Sequence, residues 1–325
     1  MHRRHVASLI AGAFVLAREA GAQPKKIPRV AWLALLPGED RAWMKAFRER
    51  LAELGYREGE NLILDYRSAE GRPERLPDLA AELVQGRPDV LVAGLGTLAA
   101  KAAAAATKDI PVVFNGVGDP VGAGLVASLA QPGGNVTGNS AQATDFTAKQ
   151  VQLIEEVVPA GRPLGVLLNP DTPNSALSLR HIRSAAAQSG RALVVLEART
   201  RDEVAAALER GVEEGAGGLV VVDDPLTVSL RPLILERVAA ARLPAIYGIR
   251  DAVDAGGLMA YGIDSRQLYR RTADYVDRLL KGARPADLPV EQPTRFFLVV
   301  NRRAARSIGL TLPASLLDAA DETID

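Results

Sequence analysis

DVLVAGLGTLAAKAAAAATKDIPVVFNG, residues 89–116, carries the fold in miniature. The apolar run Asp89–Ala93 reads as a buried strand, and the alanine-rich stretch Leu98–Thr107 as a helix. Pro111–Phe114 reads as a second buried strand. Strand, helix and strand in so short a space make a parallel βαβ unit. Toward the N-terminus the same rhythm gives strands at Arg29–Leu36 and Asn61–Tyr66. Helices fall at Ala42–Leu54, stopped by Gly55, and at Glu74–Gln85, started by Pro73. Toward the C-terminus comes a glycine-rich passage, Asn115 to Gly138, with a short helix expected at Gly122–Leu129 and a Pro-Gly-Gly turn at 132–134.

The rhythm then repeats. Helices are expected at Asp145–Val157, Asn174–Ser189, Asp202–Glu213, Leu230–Ala241 and Ser265–Leu280. Strands are expected at Leu164–Leu168, Leu193–Glu197, Gly218–Val222, Ala245–Tyr247 and Leu258–Tyr261. A proline-punctuated linker, Pro285 to Pro293, leads to a strand at Phe296–Asn301 and a short terminal helix. Two such arrays predict two similar α/β lobes. The late helix and strand on either side of the linker predict that the chain crosses between them more than once, making a hinge and a closable cleft.

Composition narrows the chemistry. The chain has 325 residues, of which 48% are hydrophobic, with 39 basic and 39 acidic side chains and no cysteine. The charge balance argues against a nucleic-acid partner, which would call for a basic excess. The lack of cysteine excludes disulfides, thiolate metal sites and a cysteine nucleophile. Of three histidines, His2 and His5 stand at the front, and His181 falls mid-helix between Arg180 and Arg183. No metal site, no cofactor and no catalytic set can be assembled, so the chain is expected not to be an enzyme.

Residues 1–22 read as a cleavable export signal. A basic front (Arg3, Arg4) precedes the apolar run Val6–Ala17, and Ala20-Gly21-Ala22 supplies small residues for cleavage. The run is too short for a membrane span. Cleavage after Ala22 would leave a net charge of −2 and no cysteine for a lipid anchor. The expected location is a periplasm, and the expected state a soluble monomer.

In parallel sheets, ligands collect beyond the carboxyl ends of the strands. The run GLGTLA, 94–99, has the spacing of a dinucleotide site but follows the third strand, with no acid placed for a ribose. Gly96 and Thr97 are read instead as a tight turn with Thr97 capping the helix, or as a contact for a small anionic group. Asn115 and Gly116 end the next strand and allow close approach of a ligand. Asn169 ends a strand of the second array, with Asn174-Ser175 opening the helix after it. Asp223, at the end of GLVVV, could accept hydrogen bonds from an ammonium group. Tyr247 and Tyr261 end apolar strands and could wall the site.

Several stretches resemble a known family: ERLPDLAAELV (74–84), IPVVF (110–114), GDPVGAGLVASLAQPGGNVTG (118–138), LNPDTPNS (168–175), RRTADYVDRLLKGARPADLPVEQPTRFFLVVN (270–301) and GLTLPASLL (309–317). Together they are similar to the substrate-binding proteins of ABC importers related to the tryptophan/tyrosine-binding component. The resemblance implies a type I periplasmic-binding-protein fold, with two Rossmann-like lobes joined by a multi-crossover hinge around an interlobe ligand cleft. The lobes would be 28–140 plus 263–290 and 141–262 plus 291–325, with crossings near Thr137–Ser140, Tyr261–Asp264 and Glu291–Thr294. It implies a small-molecule ligand, an amino acid or related carboxylate, handed to a membrane permease with its ATPase. Thr97, Asn115, Ser140, Asn169 and Asp223 match the family's polar contacts. Leu35-Leu36-Pro37 departs from the more polar loop usual there and points to an apolar group on that side. Two other roles for the same chain are a sensory ectodomain and a nucleotide-dependent enzyme.

Overall fold

The computed structural model describes residues 26–38, 41–141 and 145–325; the export signal expected at 1–22 lies outside them. The first sheet holds β1 (Arg29–Ala34), β2 (Ile63–Ser68), β3 (Val90–Leu95), β4 (Val112–Val117) and β5 (Val136–Ser140). Between them run α1 (Arg41–Glu53), α2 (Leu76–Gln85) and α3 (Thr97–Ala106). The strand order is β2-β1-β3-β4-β5, all parallel.

The chain continues through α4 (Asp145–Glu155), β6 (Leu164–Leu168), α5 (Pro173–Ser189), β7 (Leu193–Glu197), α6 (Arg201–Glu213) and β8 (Gly218–Val221). Then come α7 (Pro225–Ser229), α8 (Arg231–Ala240), β9 (Ala245–Tyr247), α9 (Arg250–Asp254) and β10 (Met259–Gly262). The chain ends with α10 (Ser265–Leu280), β11 (Phe297–Asn301), α11 (Arg302–Ser307), α12 (Ala314–Ala319) and β12 (Glu322–Ile324). The second sheet is ordered β12-β11-β10-β9-β8-β6-β7, parallel except where β11 meets β10. Its β7-β6-β8-β9-β10 part repeats the order of the first sheet. Each sheet therefore reverses direction at one switch point, β1/β3 and β6/β8, where an α/β sheet opens a crevice at its carboxyl edge.

Strand residues alternate between two buried faces, as parallel strands covered on both sides must. In β1, Val30, Trp32 and Ala34 join α1 and α10, while Ala31 and Leu33 join α2 and α3. Trp32 meets Phe47 edge-on, with ring centroids 4.7 Å apart, and stacks on Tyr269 of α10 at 5.6 Å. Thus α10, which follows the last parallel strand of the second sheet, covers the first. The segment after it is pinned beside β5: Thr137 Oγ1 donates to Leu288 O at 2.7 Å, and Ser140 N donates to Glu291 O at 2.8 Å.

Four local expectations are corrected. Residues 122–129 form turns, not a helix: the Asp119 carboxylate takes the Gly122 N–H, and Gly124 turns back at φ +72°. Val136–Ser140 forms the edge strand β5, which the polar sequence VTGNS did not announce. Helix α7 was not expected; it is started by Asp224 as cap, with Pro225 next and Thr227 closing a capping box. Helix α9 was likewise missed.

Candidate ligand-binding cleft

The loops at the two switch points face each other. Leu35 and Leu36 follow β1, and Gly96 and Thr97 follow β3. Opposite them, Asn169 follows β6, and Asp223 and Asp224 follow β8. Three adjoining cavities fill the space between. The central one, about 100 Å³, takes Leu95, Gly96, Gly116 and Gly118 from the first array; Ala141, Phe146, Asn174, Asp223 and Gly248 come from the second. Val228, Ile249, Ile263 and Leu268 make most of the rest of its wall apolar. A second, about 200 Å³, has an apolar side made of Leu35, Leu36, Leu98, Leu226, Pro73 and Pro225, with Asn169, Asp171 and Arg199 at its polar side. The third, about 220 Å³, lies between the first turns of α3 and α5.

Asp223 is the chemical focus of the central cavity. Removal from water pushes its carboxyl up to about 7; the Gly248 N–H and the charge of Arg231 pull it down, while Asp224 and Asp251 push it further up. Gly248 leaves room for this carboxylate, because a Cβ there would stand 1.9 Å from Asp223 Oδ2 and push it aside. Beside it, Asn174 Oδ1 is buried without a hydrogen-bond partner. Asp224, which lines the same cavity, caps a helix with one oxygen only: its Oδ1 accepts from Thr227 N at 2.8 Å, its buried Oδ2 has no hydrogen-bond partner, and burial pushes its own carboxyl up. A carboxylate and an orphan carbonyl oxygen in an apolar wall suit a small cation with N–H donors.

Opposite, α3 begins at Gly96, whose φ of +98° only glycine adopts without strain. Thr97 is thus the first helical residue and not the cap expected for it, and neither α3 nor α5 has a side-chain N-cap bond. The α5 start offers little of its own, since Pro173 has no N–H and Ser175 N donates to Thr172 O at 3.0 Å.

Of the residues singled out in the sequence, Gly96, Gly116 and Asp223 meet in the central cavity, with Thr97 and Asn169 in the two beside it. The other four stand elsewhere. Asn115 is fully buried with both amide atoms unpartnered. Ser140 is buried, its hydroxyl donating to Gly118 O, and its neighbour Ala141 reaches the cavity instead. Strand alternation removes the two tyrosines. Tyr247 packs in the core on one face of the second sheet; Tyr261 packs on the other face, 6.0 Å from the Phe296 ring. Phe146, Ile263 and Leu268 went unread in the sequence, because only the crossings bring them to the cavity. Pro225 was readable, since Asp224-Pro225-Leu226-Thr227 spells a helix start.

Among the described residues no helix is long and apolar enough to cross a membrane, and no group of three or more His, Cys, Asp or Glu is placed to hold a metal ion.

A family profile described as ABC transporter substrate binding protein matches residues 36–324. A tyrosine-binding protein of Clostridioides difficile (strain R20291) is 29% identical over 276 residues, 84% of this chain and 78% of the relative. The ABC domain in complex with L-Trp from Streptococcus pneumonia superposes with a TM-score of 0.83 at 29% identity, covering 91% of this chain and 99% of that one. The ligand-free, open structure of a substrate binding protein with adhesive properties from Clostridium difficile gives 0.66 at 26% identity, covering 92% and 99%.

Proposed function

The chain belongs to the family of ABC transporter substrate binding proteins, and from that premise we propose that its solute is an amino acid with an apolar side chain, held between the two lobes. The observation that carries this reading is Asp223, a carboxylate set in an otherwise largely apolar interlobe cavity beside the unpartnered Asn174 Oδ1. In this reading the ammonium group of the solute sits against Asp223 and Asn174. The side chain lies along Leu35, Leu36, Leu98 and Leu226. A carboxylate and an ammonium brought together out of water form a strong charge-assisted hydrogen bond. The better overlay on the L-Trp complex than on the open relative supports an arrangement close to the ligand-bound one.

The lobes are 28–140 plus 263–290 and 141–262 plus 291–325, supported by the division of strands between the sheets and by α10 covering the first. Delivery goes to a membrane permease and its ATPase, as the family implies. The chain is exported by its first 22 residues, works in the periplasm as a monomer, and changes nothing in its solute.

The test is a thermal-shift screen over the amino acids and their decarboxylated amines. A saturable rise in melting temperature with apolar amino acids is expected in the wild type and is lost in Asp223→Asn. An equal rise in the variant would remove Asp223 from the site.

A further inference from the structure

Residues 321–325, around β12, carry three acids, each taken by an arginine of a different segment. Asp321 Oδ1 accepts from Arg295 Nη2 at 2.8 Å, and Asp325 Oδ1 lies 3.5 Å from Arg302 Nε of α11. Glu322 reaches α9. Both of its carboxylate oxygens accept from the Arg250 guanidinium, Oε1 from Nη2 at 2.7 Å and Oε2 from Nη1. Such a fork-to-fork pair keeps its worth even where it is exposed. The strand itself is anchored along β11, Glu322 beside Val299 and Ile324 beside Asn301.

Arg250 opens α9. Ala252 and Val253 pack that helix into the core of the second sheet, but toward β12 its start meets a cavity of about 230 Å³, lined by Arg250, Glu322, Ala260, Phe297 and Val299. On that side the ion pair, and not packing, joins the two elements. The residue after Arg250 is Asp251, which receives the Trp43 Nε1–H of α1. The two before it, Gly248 and Ile249, line the central cavity.

We propose that β12 positions the contact between the two arrays: through Arg250, Glu322 holds α9 where Asp251 receives Trp43. The same anchor steadies Gly248 and Ile249 in the cavity wall. Glu322 and Arg250 are positioning residues, since both stand outside the three cavities of the cleft. Asp254, one turn further along α9, braces the arrangement, 3.3 Å from Arg250 Nε and 3.7 Å from Arg266 Nη2 of α10. Without the Glu322 charge the start of α9 is free to shift over the cavity, and the Trp43 bond opens more often. The proposal holds whatever the solute is.

The experiment follows indole N–H exchange in the full, ligand-free chain by heteronuclear NMR. The two tryptophans report separately, because Trp32 lies within the first array and Trp43 donates across to the second. Glu322→Gln should speed exchange at Trp43 about two- to fivefold and leave Trp32 unchanged. In an Arg250→Gln background the same substitution should add nothing, because the two side chains act as one pair. Arg302→Gln, which frees Asp325 and leaves Arg250 paired, should leave both indoles unchanged. Unaltered exchange at Trp43 in Glu322→Gln, equal acceleration at Trp32, additive effects of Glu322→Gln and Arg250→Gln, or acceleration at Trp43 by Arg302→Gln each overturn the proposal.

Discussion

Asp223 couples binding to pH through a sign that can be worked out. Its carboxyl titrates at about 7 in the folded protein against an ordinary value of 3.8, so the folded state binds the proton more tightly than the unfolded chain. Stability of the ligand-free protein therefore falls as pH rises from about 4 to about 7, then levels off. Removing the charge relieves a penalty on the order of 2–4 kcal/mol. Asp223→Asn should thus melt above the ligand-free wild type at pH 8 and converge with it near pH 4, in scanning calorimetry. Binding has the opposite sense. An ammonium requires the ionised carboxylate, so affinity should weaken about tenfold per unit as pH drops below 7, measured by titration calorimetry between pH 5 and 8. Gly248→Ala tests the same site sterically. Its methyl group would displace the Asp223 carboxylate, so solute binding should be lost while the melting temperature falls by only a few degrees.

Among the elements, β5 depends most on one residue. Gly138 sits at φ +150°, and a Cβ there would lie 2.1 Å from Phe114 O. The strand pairs with β4 at that distance only because the side chain is absent. Gly138→Ala should cost about 3 kcal/mol or more, read as a lower urea midpoint. Because β5 also receives the returning segment at Glu291, the same variant should loosen the hinge. The helix starts around the cleft differ: α7 is capped by Asp224, whereas α3 and α5 carry no side-chain cap.

Across the whole molecule, contacts between the arrays go beyond the crossings. Trp43 of α1, almost fully buried, donates from Nε1 to Asp251 Oδ2 of α9 at 3.1 Å. Ile249, just before α9, packs into the core around β1 and α10. A hydrogen bond to a carboxylate across a moving interface favours the approached state by about 1–2 kcal/mol. Asp251→Ala should therefore weaken solute binding about 5- to 30-fold by calorimetry without touching the cavity wall. Trp43 is also a built-in reporter: solute should change tryptophan emission in the wild type, and Trp43→Phe should abolish most of that change.

Local pattern was enough to place most of the strands and long helices, because parallel strands are continuous apolar runs and their helices carry glycine or proline at the ends. It also marked Gly96, Thr97, Gly116, Asn169 and Asp223, which stand at strand ends where backbone chemistry changes abruptly. β5 escaped because its polar residues are buried by partners far along the chain, such as Thr272 bonding Asn139 at 2.9 Å. Tyr247 and Tyr261 misled because a strand end in one dimension does not say which face of the sheet a side chain takes. Phe146 and Leu268 acquired meaning only when the two arrays met at the central cavity. Two α/β arrays and the chemistry of their strand ends were legible in the chain, since those depend on neighbours along it. Which strand ends look at each other, and that Asp223 stands in a largely apolar cavity, follow from the folded arrangement alone, since both depend on residues from different arrays meeting in space.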